Sequence, residues 1–400
     1  VNHSTKLILL NGVDSPRTYN GVSLSTADFT GSPGDFMPAT MWSGNSFKGR
    51  AFYWAENAQA FWYATAGSYQ GVMAKFDCST QLQTGGSLVQ MVTWTLDSGS
   101  GIDDLAVFIF STGECLVYSG SDPGSATDWA LKGRFQIGEP LGPRAHAKVG
   151  GTEIILTRDG YVDLSAALQD GRYSELSAYS SKIIRASKDA AAQYGQFDGW
   201  EAVLYPSGQM FIANIPTGAA TAYQHVRETS SGGWCEFIGW NALTFCNFVN
   251  RLYFGDANGN IWLADSGTQD NNERILSWGI PAFNSLGNRA NRKQLTAVSA
   301  VTSATNPASY AYDGLADFNM SLRSTVVDDN APNADTLWDV ADWDVVDWGS
   351  EITEQSPVVN GWKNCSAIGY VITASVRINQ RAQQINWYST TYQYRNAGVF

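Results

Sequence analysis

Four hundred residues with a formal charge of −12 can build one large all-β domain or two ordinary ones, each with a sizeable core. That acidic balance excludes a protein that grips nucleic acid, because such proteins neutralise phosphates with clustered Lys and Arg. No apolar stretch approaches the ~18 residues of a membrane span, and "KLILLNG" is too short for a signal-peptide core.

Strand signals start with "LILLNGVDSPRTYNG" and "FYWAENAQAFWYAT", two apolar pairs of runs of which the second lacks a turn glycine. The clearest hairpin follows in "LAVFIFSTGECLVYS", turning at Ser111 to Glu114 with Gly113 available for a positive φ. "EIILTRDGYVDL" turns at Asp159-Gly160, "AVLYPSGQMFIANIP" at Ser207-Gly208 and "LYFGDANGNIWLAD" at Asn258-Gly259. These units start at Leu7, Phe52, Leu105, Glu153, Ala202 and Leu252, a recurrence of about fifty residues. That is the length of a four-stranded propeller blade, and a closed ring removes exposed strand edges. The fold expected is all-β, a β-propeller of about six to seven blades over residues 1–267. A tandem sandwich or prism is the other arrangement.

Between the fourth and fifth units, "ELSAYSSKIIRASKDAAAQYG" is rich in Ala and Lys and ends at Gly195, a C′ glycine by position. It predicts a helical insertion near 178–194 on one rim of the ring, where partners could be met. After about Gly267 the character changes to polar stretches and long strand-like runs, which predicts a C-terminal β region over 268–400, either completing the ring or forming a platform. Its second long run alternates Ile385, Trp387 and Tyr392 among polar residues, as a half-buried strand does. "WDVADWDVVDWG" repeats Trp338, Trp343 and Trp348 at a period that fits neither strand nor helix. It is not the once-per-blade signature of repeat propellers, and its indoles are expected to anchor packing in the C-terminal region.

Candidate chemistry is sparse. His3, His146 and His225 form no ligand pair, which argues against a zinc site. Nucleophile elbows, phosphate-cradling loops and dinucleotide fingerprints are missing from the sequence. Asp103 and Asp104 precede the strongest hairpin, but sequence cannot place two carboxylates about 5 to 10 Å apart around a glycosidic bond. "SGSDPGSATDW" fails as an Asp-box, since Gly120 stands where Ser or Thr is wanted and Trp129 comes too late. Its acids read as turn caps. Asp342 and Asp344 alternate like calcium ligands, yet Asp347 and Thr353 occupy the places of the loop glycine and the terminal Glu. Arg289, Arg292 and Lys293 in "NRANRK" read as a solvated loop. Cys78, Cys115, Cys235, Cys246 and Cys365 are odd in number and widely spaced, and "ECLVY" and "LTFCNF" embed two of them in apolar runs, as free thiols in a reducing compartment. No catalytic, cofactor, metal or channel-lining residue is therefore assigned.

Several phrases taken in order resemble one family. "LLNGVDSPRTYNG", "DDLAVFIFSTGECLVYSGSDPGSATDWALKGRFQIGEPLG", "TRDGYVDLSAAL", "LWDVADWDVVDWG" and the final "WYSTTYQY" make the chain similar to the tail nozzle proteins of short-tailed bacteriophages, also described as packaged-DNA stabilisation proteins. The likeness runs from near Leu7 to Tyr394. It implies a structural virion protein, assembled in the host cytoplasm, whose propeller sits in a homohexameric ring at the distal end of a short tail. It also implies an adaptor ring above, fibres or spikes at the side, and double-stranded DNA first retained and then passed through the channel without stable binding. No enzyme activity and no cofactor are implied. Family members carry further sequence before the first of these phrases, so a shortened chain and a shorter relative both fit. Six copies would multiply the charge of −12 sixfold, and with a Debye length of about 8 Å that charge acts close to the wall. A propeller that binds or cleaves host glycans is the other functional reading.

Overall fold

The computed structural model describes residues 1–3, 5–97, 102–170, 174–304, 310–321, 358–359, 361–380 and 384–397. The chain is mostly antiparallel β-sheet and divides into two compact units, Val1–Asp265 and Ser266–Phe400.

In the first unit, six sheets follow one another along the sequence, each built from consecutive strands. Sheet 1 holds β1 to β4 (Asn2–His3, Lys6–Leu9, Arg17–Tyr19, Leu24–Thr26), and sheet 2 holds β5 to β8 (Met41–Phe47, Arg50–Ala55, Ala60–Tyr63, Ala74–Asp77). Sheet 3 holds β9 to β12 (Leu88–Asp97, Ile102–Phe110, Glu114–Ser119, Ala130–Gln136), and sheet 4 holds β13 to β15 (His146–Val149, Thr152–Thr157, Gly160–Asp163). Sheet 5 holds β16 to β19 (Glu201–Tyr205, Met210–Pro216, Ala222–Glu228, Trp234–Ile238), and sheet 6 holds β20 to β22 (Thr244–Phe248, Arg251–Gly255, Ile261–Leu263).

Side chains alternate across a strand, so a strand buried on both faces needs an unbroken apolar run. The middle strands have such runs, and each divides its run between two cores. In β6, Ala51 and Tyr53 enter the core shared with sheet 1, while Phe52 and Trp54 enter the core shared with sheet 3. In β10, Ala106, Phe108 and Phe110 face sheet 2, and Val107 and Ile109 face sheet 4. The same division in β14 and β17 joins sheet 4 to sheet 5 and sheet 5 to sheet 6. Each fully buried side chain of this size contributes about 1.5–3 kcal/mol, so the stack is held by its five shared cores. Their densest point is sheet 2 against sheet 3, where Phe61 stacks on Phe108 with centroids 4.5 Å apart. Leu7, Leu9 and Leu24 on sheet 1 and Phe248 and Ile261 on sheet 6 remain exposed at the ends of the row.

The even spacing of the hairpins hides an offset. Five of the six start on the second strand of a sheet, but the one at Ala202 is β16 with β17, the first and second strands of sheet 5. Helical sequence stands where sheet 4 would have its fourth strand: α1 (Leu164–Asp170), a 3₁₀ turn at Ser181–Ile183, then α2 (Ile184–Tyr194). The insertion is not confined to a rim. Ala190 and Ala191 of α2 are buried in the core of sheets 4 and 5. Gly195 ends α2 at φ −64°, right-handed, so it is not the left-handed C′ glycine that its position suggests. In the β16–β17 turn the positive φ falls on Gln209 instead of Gly208.

Among its described residues the second unit has two sheets. One orders β23 (Ile275–Gly279), β28 (Ile372–Gln380) and β25 (Tyr310–Ala316). In the other, β24 (Lys293–Ala304) pairs with β26 (Val358–Val359) and β27 (Lys363–Gly369) on one edge and with β29 (Ile385–Asn396) on the other. Leu295, Val298 and Cys365 of one sheet meet Ile372 and Ala374 of the other in a common core. At one side β25 and β27 close together, and Gly314 is required there because a Cβ would stand 2.9 Å from the Ser366 backbone. At the other side Trp387 of β29 covers Gly279 of β23. Trp338, Trp343, Trp348, Asp342, Asp344, Asp347 and Thr353 lie outside the described residues.

Candidate functional site

The first strand of each sheet in the first unit is an edge strand, with backbone groups left over from its own ladder. These edges lie side by side: β1 by β5, β5 by β9, β13 by β16 and β16 by β20. Side chains from one first strand satisfy the next. The Asn45 Nδ2 amide donates to the Met91 carbonyl at 2.7 Å, and Asn247 Nδ2 donates to the Leu204 carbonyl at 2.7 Å. Gln90, fully buried, donates to the Gly142 carbonyl just ahead of sheet 4. His3 Nδ1 bonds Ser46 Oγ at 2.9 Å, joining sheets 1 and 2. The result is a belt of polar bridges crossing every boundary between consecutive sheets.

Its one ion pair sits at sheets 4 to 6. Arg144, just before β13, donates to Thr244 Oγ1 at 2.8 Å and to the Leu243 carbonyl at 3.2 Å, and approaches Glu201 Oε2 at 3.6 Å. Glu201 also accepts the Phe245 N–H at 3.1 Å. Burial outweighs these partners and raises the Glu201 pKa. Chemically the belt is a brace: its amides are consumed by neighbouring carbonyls, and its single carboxylate is already bonded.

The remaining candidates are dispersed. His146 bonds Glu153 at 2.7 Å in sheet 4, and His225 bonds the Tyr161 hydroxyl at 2.8 Å between sheets 5 and 4, so the three histidines never meet. Burial holds His225 down to about 4, neutral at physiological pH. Among the described residues no His, Cys, Asp and Glu gather in a group able to hold a metal. Cys78, Cys115, Cys235 and Cys246 are free thiols; Cys246 is exposed, against the expectation from its apolar run, because it faces outward from sheet 6. Asp103 and Asp104 lie in β10, where Asp104 accepts the Thr95 hydroxyl at 2.8 Å.

Several exposed or half-buried acids close turns. Asp128 accepts the Ser121 and Asp122 N–H groups at 2.7 and 2.8 Å, which lowers its pKa. Gly120 cannot be Ser or Thr, since φ is +108° and a Cβ would fall 2.2 Å from the Asp128 carbonyl oxygen. Trp129 is buried, stacked on Tyr118 at 5.1 Å. Asp256, bonded by Trp262 and Asn260, and Glu228, bonded by Ser231 and Ser230, are both held down to about 2. Lys293 contradicts the solvated-loop reading: it is buried, its ammonium donating to the carbonyls of Asn288, Asn291 and Tyr370.

An open cleft of about 820 Å³ lies beside sheet 2, lined by Asp35, Gln59, Trp62, Lys75 and Asp77. Lys75 pairs with Asp35 at 3.2 Å and sits 5.6 Å over the Trp62 ring. Asp77 accepts the Ser79 N–H, which pulls its pKa down. A general acid for glycoside cleavage needs the opposite shift.

The sequence reading missed the brace altogether. Its signal was a lone amide in an apolar edge run, Gln90 in "LVQMV" and Asn247 in "TFCNF". Such residues look like interruptions until the neighbouring edge is in place. No family model and no curated protein matches this chain.

Proposed function

We propose that this chain is a structural tail nozzle protein, a homohexamer that retains packaged DNA and conducts it at ejection, with the first unit's six sheets as propeller blades. The observation that carries the propeller reading is the row of sheets sharing cores face to face, with first strands side by side at four of the five boundaries and β9 beside β14 at the fifth. In a propeller those first strands surround the axis. The exposed apolar faces of sheets 1 and 6 then meet each other or take a seventh sheet between them.

Support for the conduit role comes from the acids. A formal charge of −12, with half-buried Asp256 and Glu228 held down to about 2, keeps the surface anionic across physiological pH. Phosphates do not adhere to such a wall, so DNA slides. The brace suits a load-bearing ring, since it ties every consecutive pair of sheets without offering a reactive group. The ordered phrases of the sequence supply the rest of the reading: an adaptor ring above and fibres or spikes at the side. A glycan-cleaving propeller has the cleft beside sheet 2 as its foothold, where Asp77, its pKa lowered, is not tuned as the general acid.

The test is a virion that lacks the protein. Such particles are expected to leak packaged DNA or to fail at ejection. Infectious, DNA-filled particles without it would overturn the reading.

A further inference from the structure

Asp and Glu outnumber Lys and Arg by 37 to 25, so a cation in this chain has acids to choose from. Toward the edge of sheet 5 opposite β16, two cations lie together instead. Arg227 of β18 holds its guanidinium carbon 3.9 Å from the centre of the Tyr179 ring and 5.9 Å from that of Trp234. Lys182, in the 3₁₀ turn before α2, donates to the Gly232 carbonyl at 3.0 Å. Gly232 adjoins both: a Cβ there would stand 3.1 Å from Arg227 Nη2 and 3.7 Å from Lys182 Nζ. Among the described residues neither side chain has an ion pair, and Arg227 Nε is buried without a hydrogen-bond partner. The neighbouring acids are engaged elsewhere. Glu228 accepts the Ser230 and Ser231 N–H groups at 2.8 and 2.6 Å, and Asp163, whose charge reaches Tyr179, accepts the Thr152 hydroxyl at 2.6 Å.

We propose that Arg227, Lys182 and the β18–β19 turn form a binding site for a phosphate or sulfate group. Two cations side by side without a counter-charge repel, and a buried guanidinium N–H without an acceptor is a further cost. An anion seated between them removes both. A lysine that served only to solvate the surface would hold its ammonium in water, whereas Lys182 is bonded to the turn beside the arginine. The aromatic rings hold the Arg227 fork in place before any ligand arrives, which lowers the entropy lost on binding. The pair is still reachable, since Lys182 is exposed and Arg227 half-buried. A tetrahedral anion fits better than a carboxylate. The two oxygens of a carboxylate share one plane and match the fork of Arg227 alone, while a tetrahedral group keeps oxygens for an ammonium on another element. The site lies away from the first strand of its sheet, so bound phosphate leaves those strands clear. Nothing in it depends on the nozzle reading.

The test is equilibrium dialysis of the full-length chain against labelled inorganic phosphate at constant ionic strength. One saturable phosphate per chain is expected, displaced by sulfate and not by acetate or chloride at equal concentration. Displacement by glycerol phosphate as well would show that the site takes the group on an ester, and failure of that displacement would restrict it to the free ion; the site stands in both cases. Lys182→Gln, at an exposed position, is expected to weaken binding at least about tenfold, the worth of one charge-assisted hydrogen bond. Lys182→Arg is expected to restore most of it, and Arg227→Gln to abolish saturable binding. Should Arg227→Gln melt below wild type, the two Lys182 variants decide alone. Arg185→Gln serves as the control, because that exposed cation of α2 already pairs with Asp189, and it should bind as wild type does. Wild type without saturable binding overturns the proposal. So does binding that Lys182→Gln leaves unchanged, that Arg185→Gln weakens equally, or that acetate displaces as well as sulfate does.

Discussion

Phe52, Phe61, Phe108 and Trp129 sit at the centre of the first unit, while Trp278, Tyr388 and Tyr394 stand on the surface of the second. The polar groups are arranged the other way. In the first unit the buried amides lie along the strand edges, as bridges from sheet to sheet. In the second, Lys293, Asp313, Ser299, Thr302 and Ser375 are buried within the two sheets themselves. The difference follows from layer number. A sheet with neighbours on both faces can hide every large apolar residue it carries, and edge groups are what is left to satisfy. A two-layer unit has one shared core, and its outward aromatics need cover from elsewhere.

The contrast can be broken most sharply in the middle of the stack. Phe108→Ala removes a ring from the core of sheets 2 and 3 and is expected to cost about 3–5 kcal/mol, read as a lower urea midpoint at unchanged slope. In the second unit the matching weak point is polar. Asp313 pairs with Arg377 at 2.6 Å, with 4% and 12% of the side chains exposed. Asp313→Ala is expected to cost about 3 kcal/mol, and the double change Asp313→Leu with Arg377→Met less than the single one. An equal or larger loss in the double variant would say that this pair stabilises the unit beyond mere compensation.

Acid separates the units further. His225 has an ordinary pKa of 6.5 and a folded value of about 4, lowered by burial. The unfolded chain takes up the proton first as pH falls. The contribution is therefore complete above 6.5 and is lost on the way down to about 4, amounting to about 3 kcal/mol at most. His225→Gln cannot titrate and should flatten the stability curve over that window; an unchanged curve would assign the acid sensitivity to other groups. The smallest effect concerns the brace. Gln90→Leu removes one of two donors to the Gly142 carbonyl, which keeps the Ala145 N–H at 3.3 Å, and should cost about 1 kcal/mol. Asn45→Leu is expected to behave alike, and hydrogen exchange should quicken first at the sheet 2–3 boundary.

Much of the first unit was legible because its signals are local. Turn residues such as Gly113, Gly160 and Gly259 do carry positive φ, and the run before each is a middle strand of its sheet. What escaped was relational. The hairpin at Ala202 has the right pattern and the wrong place in its sheet, because α1 and α2 fill a strand's position. Lys293 looked solvated because three charges share a short stretch; its partners are carbonyls, one of them Tyr370, distant in sequence. The brace escaped for the same reason, since an amide on an edge strand means nothing until the adjacent edge is known. Trp387 shows the limit well: its half-buried strand was readable, whereas its position over Gly279 was not.

The pairing of β29 has a consequence for synthesis. Sheets of the first unit close among neighbouring residues, so each can zip up soon after it leaves the ribosome. The second unit cannot, because Lys293 pairs with Asn396 and Ile275 with Gln380. Its sandwich is completed only when the strand Ile385–Asn396 is made and pairs along the length of Lys293–Ala304. A prematurely terminated chain would thus own the folded stack and lack the sandwich, so completion of the second unit marks the arrival of its last long strand.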